Sequence, residues 1–191
     1  MTDEARAIAR RRGKWSQQDI PHLGWVCVAE YDAKEDGGDL IICEMCETME
    51  VRFVHVMENE RYPDRLACGC ICAAHMSGEL KAAQDRDKRM RSRATRRSNF
   101  DKRKGWTISP QGNPHIKVHE YHLVIARKKT GDFQVGARGP RDREFKWGRK
   151  RYSTLNEAKK GCFDALEFFE QKQAEEDAEA RKALLRSVLW T

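Results

Sequence analysis

The sequence predicts an α+β protein built, in chain order, from a small cysteine-rich module, a basic helical connector and a small antiparallel β-sheet packed by a C-terminal helix. Three observations predict this order. Six of the seven cysteines precede residue 75, residues 81–104 carry a dense positive charge, and short apolar segments separated by turn residues fill most of residues 115–152. Since 35% of the 191 residues are charged and 39% are hydrophobic, we expect two modest cores rather than one large core.

Shifts in composition divide the chain into four predicted segments. These are residues 1–80 with an N-terminal arm and the cysteine-rich module, the connector at 81–104, the sheet and helix at 105–170, and an acidic, then amphipathic helix at 171–191. No stretch approaches the roughly 18 consecutive apolar residues that a membrane span requires. Residues 1–14 are charged and lack the apolar core of a secretory signal. We therefore expect a cytoplasmic protein.

The cysteine-rich module begins with a Cys-x-x-Cys pair, Cys43 and Cys46, which can hold one metal ion from a tight turn. The β-branched and aromatic residues 51–57, a turn at 59–64 and residues 65–70 predict a hairpin, and the apolar spacing after Cys72 predicts a helix. Clustered cysteines in a cytoplasmic chain are typical of metal sites. The order of knuckle, hairpin and helix predicts a treble-clef-like zinc finger.

Zinc takes four ligands, and the first two predicted ligands are Cys43 and Cys46. Five side chains compete for the other two places: Cys68, Cys70, Cys72, His75 and His55. We favour Cys72 because it opens the predicted helix, then Cys70, and then His75 one helical turn later. The predicted structural Zn²⁺ site is therefore Cys43, Cys46, Cys70 and Cys72. The alternative is that these cysteines are reduced, buried side chains.

These motifs resemble those of an uncharacterised family of small bacterial and bacteriophage zinc-finger proteins with a C-terminal sheet-and-helix module. The resemblance rests on residues 12–16, 21–25, 43–46, 51–57, 69–73 and 112–113. It implies a metal site and a prokaryotic cell or a phage-infected host as the setting, and it implies no activity. In the family, the Gly-Cys-x-Cys-Ala motif matches Cys70 and Cys72, which makes Cys68 a less favoured ligand.

The connector is the second prominent feature. Residues 81–104 contain eleven basic and three acidic residues, a net charge of +8, whereas the whole chain carries +7. A solvated connector helix is one interpretation. However, this charge density exceeds what solubility requires and is typical of contact with phosphates. We therefore expect binding to DNA or RNA that is mostly independent of base sequence.

The second module predicts strands at 115–118, 121–128, 133–137 and 145–152, with turn residues between them. Thr154 and Glu157 have the spacing of a capping box, ahead of a helix whose apolar stripe suits packing on the sheet. The arrangement resembles the small three-stranded DNA-binding domains of integrase arms and plant transcription factors, which implies that the uncovered sheet face meets the nucleic acid. The predicted nucleic-acid-binding residues are Arg86, Arg89, Arg93, Arg96 and Arg97 on the connector, and Arg127, Lys128, Arg138, Arg141, Lys146 and Trp147 on the second module.

Together these features favour a non-catalytic, zinc-stabilised nucleic-acid-binding protein. The alternative is a protein-binding accessory or inhibitor, such as an anti-defence protein or a subunit of a nucleoprotein complex, with apolar residues such as Leu184 and Trp190 docking on the partner. A His-Me-type nuclease is a lesser alternative. His55 lies on the predicted hairpin, where those enzymes carry a catalytic histidine, but this sequence lacks their adjacent acidic-histidine pair.

Overall fold

The computed structural model describes residues 12–189, so residues 1–11 of the predicted N-terminal arm and the predicted docking residue Trp190 lie outside the described residues. The chain divides into two compact units, residues 1–95 and residues 96–191, and this boundary falls inside the predicted connector. The secondary structure is mixed, with antiparallel sheets and α-helices, as the sequence predicts. None of the helices among residues 12–189 combines the length with the apolar composition of a membrane span.

Five strands form two antiparallel sheets in the first unit. They are β1 (Val26–Asp32), β2 (Ile41–Ile42), β3 (Glu50–Val51), β4 (Phe53–Asn59) and β5 (Tyr62–Cys68). The larger sheet has the order β1-β4-β5, while β2 and β3 pair separately. The predicted hairpin is confirmed as β4 and β5, and Asn59 stabilises its turn by accepting the N–H of Arg61 at 2.9 Å and donating to the carbonyl of Leu23 at 3.1 Å.

Two helices follow the hairpin. The first, α1 (Cys70–Ser77), begins after Gly69 and ends at Gly78, whose φ of 74° gives the left-handed C-cap that favours glycine. The second, α2 (Leu80–Ser98), carries most of the predicted basic connector. It ends before residue 104 because Phe100, in a short 3-10 turn, is buried in the core of the second unit.

The core of the first unit is small and rich in sulfur. Its apolar members include Trp15, Trp25, Met45, Met57 and Met76, and four of its other members are cysteines. The indole N–H of Trp25 donates to the carbonyl of Pro21 at 2.6 Å, which satisfies its polar edge. Because few large aliphatic side chains contribute, apolar burial alone is a limited source of stability for this unit.

The second unit is a five-stranded antiparallel sheet with one long helix. Its strands are β6 (Thr107–Ile108), β7 (Pro114–Val118), β8 (Tyr121–Arg127), β9 (Phe133–Arg138) and β10 (Lys146–Tyr152), in the order β10-β9-β8-β7-β6. The four predicted strands correspond to β7–β10. The sequence does not predict β6, because two residues are too few to show an alternating pattern. The helix α3 (Leu155–Leu189) runs through the predicted boundary at residue 170, because strong helix formers continue on both sides of it.

The start of α3 confirms the predicted capping box. The N–H of Glu157 donates to Oγ1 of Thr154 at 3.2 Å, and the N–H of Thr154 donates back to Oε2 of Glu157 at 3.1 Å. The predicted apolar stripe is also confirmed, since Ala158, Cys162 and Leu166 are buried against the sheet. The core of this unit therefore lies between α3 and the sheet face that α3 covers.

Replacing Thr154 by alanine removes the hydroxyl that accepts the Glu157 N–H. We expect Thr154→Ala to lower the free energy of unfolding of the second unit by about 1 kcal/mol. Urea unfolding followed by circular dichroism measures this loss. Thr154→Ser, which keeps the hydroxyl, is expected to retain most of the stability, and an alanine variant as stable as the parent would contradict the role of the cap.

Candidate metal centre and charged surfaces

The turn between β2 and β3 presents the first two cysteines. The N–H of Cys43 donates to the carbonyl of Met49 at 2.8 Å, and its carbonyl accepts the N–H of Glu47 at 2.8 Å. These bonds close the chain into a tight turn. The Cys43 sulfur accepts backbone N–H groups from Gly69, at 3.5 Å, and from Cys46. Such donors stabilise a thiolate.

Three of the four predicted ligands come together at this turn. The Sγ atoms of Cys43, Cys46 and Cys72 lie within 4.8 Å of one another, and all three residues are buried. Cys72 lies in the first turn of α1, which brings it to the turn from the other side of the core. Three converging sulfur atoms are compatible with a metal site, and thiolates favour ions such as zinc over magnesium or calcium.

The structure does not bring Cys70 into this group. Residues two apart on an α-helix point about 200° away from each other, so Cys70 and Cys72 face nearly opposite directions. Cys68, the last residue of β5, is fully buried next to Cys43, and its thiol donates to Sδ of Met76 at 3.6 Å. Cys68 therefore occupies the position beside the three-cysteine group that the sequence argument assigns to Cys70.

The close approach of the thiols changes their acidity. The pKa of Cys43 lies far below its ordinary value, first because of the neighbouring Cys68 thiol and next because of the Cys72 thiol. The pKa values of Cys68 and Cys72 are raised, first by their interaction with Cys43 and then by burial. The thiolate form is therefore favoured at Cys43 and disfavoured at Cys68 and Cys72.

A second layer of residues covers the cluster. Trp15, buried in the 3-10 helix Gly13–Ser16, hydrogen-bonds to Cys72 through its side chain. Gly13 has a φ of 59°, and a Cβ atom at this position would lie 2.7 Å from the carbonyl carbon of Cys46. Glycine is therefore required here both by its backbone conformation and by the close approach of the turn.

A second group of ligand atoms lies near the first, and the sequence did not predict it. The group consists of His55 on β4, Cys70 on α1 and Asp87 on α2. Their nitrogen, sulfur and oxygen atoms lie within 4.8 Å of one another. Burial, followed by the charge of Arg86, lowers the pKa of His55 to about 4, so its imidazole is neutral at pH 7. The other histidine candidate, His75, lies outside both groups. The grouping depends on how α2 packs, and no local pattern in the sequence signals it.

Four of the five predicted nucleic-acid-binding arginines of α2, and their neighbour Arg91, form ion pairs within their own unit. The pairs are Arg89–Glu30 at 3.8 Å, Arg91–Asp87 at 2.6 Å, Arg93–Glu35 at 2.8 Å, Arg96–Glu167 at 3.1 Å and Arg97–Asp164 at 2.7 Å. Arg97 is buried and binds both oxygens of Asp164. Arg86 differs, because its Nε and Nη2 atoms are buried without a hydrogen-bond partner among the described residues. Most of the arginines of α2 are thus paired with carboxylates of the protein itself.

The uncovered face of the second sheet carries cations stacked on aromatic rings. His115, His122, Phe145 and Trp147 form a continuous row of ring contacts with centroids 5.1 to 6.3 Å apart. The Arg138 guanidinium lies 5.1 Å above Phe145, and the Lys128 ammonium lies 5.3 Å above Trp147. Trp147 is 45% exposed and opposes Gly136, whose missing side chain makes room for the indole.

Three other predicted residues of the second module do not join this row. Arg141 forms an ion pair with Asp177 of α3 at 2.9 Å. Lys146 lies over the ring of Phe169, also on α3, and pairs with Asp142. Arg127 is exposed at the end of β8. The predicted residues that the structure does bring to the row are Lys128, Arg138 and Trp147.

No family model matches the chain, and comparison with curated proteins and with solved structures finds no match either. The resemblance to a bacterial and bacteriophage zinc-finger family therefore stays a prediction from its motifs. What the site can hold follows from its donor atoms and their geometry.

Gly13 and Gly37 form a matched pair for testing how closely the covering segment approaches the cysteine turn. Both have positive φ, but no described atom lies within 4 Å of a Cβ built at Gly37. We expect Gly37→Ala to cost about 1 to 2 kcal/mol from the left-handed backbone alone, and Gly13→Ala to cost a further ~1 to 3 kcal/mol from the clash with Cys46. Thermal unfolding of both variants measures the difference. Equal losses would contradict the close approach.

Proposed function

We propose that this protein is a non-catalytic nucleic-acid-binding protein whose first unit is held together by one structural zinc ion. The zinc ligands are Cys43, Cys46, Cys68 and Cys72. Tetrahedral zinc with bonds of about 2.3 Å to sulfur separates its ligands by ~3.8 Å. The spacing within 4.8 Å of three of these sulfurs supports this assignment, as does the buried position of the fourth, Cys68, next to Cys43.

The positions of these cysteines support a structural role for the ion. Two lie on the turn between β2 and β3, one ends the hairpin, and one opens α1, in the order that a treble-clef-like finger uses. All four are protein ligands, so the ion has no open coordination position for a substrate. Because the surrounding core is small, binding of the ion would supply a large part of the free energy of folding.

The aromatic and basic row on the second sheet is the observation that carries the proposed binding activity. Trp147 and Phe145 offer exposed or partly exposed rings on which bases can stack, at about 1 to 3 kcal/mol per base. Lys128 and Arg138 hold positive charge over those rings. A base that stacks there would displace these head groups, whose long side chains let them move to the flanking phosphates. Stacking and phosphate contacts read no base edges, so the expected binding is largely independent of sequence.

The basic helix α2 has a smaller part in this proposal than its charge suggests. Exposed residues such as Lys81 and Lys88 can still attract a polyanion over a distance. However, Arg93, Arg96 and Arg97 already bind carboxylates, and phosphate contact would have to replace those pairs. Charge reversal on α2 would also break them, which makes the sheet face the cleaner place for a test.

Two other functions receive less support. The exposed apolar side chains of Leu184 and Leu185 near the end of α3 favour a protein partner as the second candidate, in line with the accessory role considered from the sequence. A nuclease that uses His55 as a base requires an imidazole that reaches the phosphodiester. His55 is fully buried, so we propose a binding protein and not a nuclease.

Removing a ligand tests the composition of the zinc site. We expect Cys68→Ser, in protein loaded with zinc, to lower the midpoint of thermal unfolding of the first unit by roughly 10 °C or more, because the variant loses one of four bonds to an ion that stabilises the fold. Cys27→Ser is the matched control, since Cys27 is a half-buried cysteine of the same sheet outside the cluster. A chelator should lower the midpoint of the parent in the same way. Wild-type stability in Cys68→Ser would contradict this ligand set.

Truncating the indole tests the binding surface. We expect Trp147→Ala to weaken binding to a short fluorescein-labelled single strand about tenfold, measured by fluorescence anisotropy, because one stacking platform is lost. Binding by the parent should fall by orders of magnitude between about 50 and about 200 mM salt. Docking of an apolar protein surface has no such salt dependence.

The control variant for this measurement replaces a cation that pairs with α3. Arg141→Ala removes a positive charge of the same kind, but Arg141 pairs with Asp177 away from the row, so this variant should bind within about twofold of the parent. Circular dichroism checks that Trp147→Ala is folded. Equal weakening in both variants, or no binding of DNA or RNA by the parent at low salt, would refute the proposal.

A further inference from the structure

The group formed by His55, Cys70 and Asp87 is chemically distinct from the four cysteines. It offers one imidazole nitrogen, one sulfur and one carboxylate oxygen, all within 4.8 Å of one another. A tetrahedral ion with bonds of about 2.0 to 2.3 Å separates its ligands by ~3.3 to 3.8 Å. Small shifts of side chains that already converge would therefore complete the site.

The surroundings of His55 suit a metal-binding imidazole. Its side chain is fully buried, and neither Nδ1 nor Nε2 has a hydrogen-bond partner among the residues that the structure describes. Buried polar groups are nearly always satisfied, and leaving one unpaired costs free energy. The imidazole lies in a protein core beside a thiol and a carboxylate, and a metal ion bound to one ring nitrogen would remove part of this deficit.

A second layer of contacts holds the carboxylate in place. Arg91 donates to Oδ2 of Asp87 at 2.6 Å, and the same guanidinium lies 4.8 Å from the ring centroid of Phe53. Outer contacts of this kind orient metal-ligating carboxylates in established metal sites.

The register of the hairpin shows how the two groups can share one face of the sheet. His55 pairs directly with Cys68 across β4 and β5, so the two side chains project to the same side. Cys72 turns toward the cysteine cluster, and Cys70, about 200° away on α1, turns toward Asp87. The motif Cys68-Gly-Cys-x-Cys72 thus supplies ligands alternately to two neighbouring groups.

A cavity reaches the second group from outside. It has a volume of about 570 Å³, and Cys70, Asp87 and Arg91 line it. Leu40 and Met49, which are exposed, also border it, so an ion or a small molecule can enter from the surface. Cys43, Cys46 and Cys72 border the same cavity. The two groups differ in ligand number, because three protein ligands leave one coordination position open whereas four cysteines fill the tetrahedron.

We propose that His55, Cys70 and Asp87 form a second site, for a divalent transition-metal ion such as Zn²⁺, with its open position toward the cavity. The mixture of nitrogen, sulfur and oxygen donors selects zinc-like ions over Mg²⁺ and Ca²⁺. The proposal rests on Cys68, and not Cys70, completing the first site. The Cys70 thiolate and the Asp87 carboxylate would together balance the two positive charges of the ion. Arg86 lies nearby as an additional positive charge.

Native mass spectrometry of the full chain, loaded with Zn²⁺ and freed of excess metal at neutral pH, tests this site. The parent should bind two ions, and Cys70→Ser and Asp87→Asn should each bind one, without loss of the far-ultraviolet circular dichroism of the folded chain. Cys27→Ser and Asp85→Asn, which replace the same residue types outside the group, should keep both ions. These variants leave the buried His55 unchanged, so the test does not depend on a substitution in the core.

The outcomes separate the two sites. A parent with one ion that both Cys70→Ser and Asp87→Asn retain would overturn the second site and leave the four-cysteine site standing. Loss of that single ion in Cys70→Ser, with retention in Asp87→Asn, would overturn both the second site and the choice of Cys68. Cobalt substitution gives an independent readout, since the absorption that appears with the second equivalent of Co²⁺ should be absent in Asp87→Asn.

Discussion

Four cysteine sulfurs in one small core constrain the first unit more than any other contact. The turn between β2 and β3, the end of β5 and the start of α1 must meet within a few ångströms for these side chains to converge. The same approach allows no side chain at Gly13, where the covering segment passes over Cys46. A cluster of thiols has only weak donors and acceptors of its own, whereas an ion that replaced their protons would join all three segments by strong bonds. Much of the remaining fold of this unit can be understood as the hairpin and helix that deliver the cysteines.

The positive charges of this protein are of two kinds: some are paired with carboxylates, and others lie over aromatic rings where a polyanion can reach them. Most arginines of α2 pair with carboxylates, for example with Glu35, Asp164 and Glu167, and Arg86 is the exception among the described residues. Net charge read along a sequence cannot show such matching, because the partners lie tens of residues away. Lys128 and Arg138 instead lie over aromatic rings, which orient a cation without neutralising it. The few cations on the aromatic rings are therefore more accessible to a polyanion than the many arginines of α2 that are held in ion pairs.

The elements with a local signal were predictable. The hairpin at β4 and β5, the strands β7–β10 and the capping box before α3 follow from periodicity, turn residues and one short motif, all of which act within a few residues. The first cysteine pair was predictable for the same reason. The placement of Cys70 away from this pair was not, because it depends on where the helix begins. α1 starts at Cys70, and this start places Cys70 and Cys72 on opposite sides. The ion pairs of α2 and the group around His55 depend on packing between distant segments, which no local pattern records.

The position of α1 explains how so short a segment can serve two groups of ligands. A helix of eight residues is marginal by itself, so its orientation depends on contacts made by its side chains. Cys72 and Trp15 hold one side of its first turn, while Cys70 meets His55 and Asp87 on the other. A rotation of α1 about its axis would improve one set of contacts only by weakening the other. The two groups therefore define one orientation of the helix together, and occupation of either by an ion would favour the geometry that the other requires.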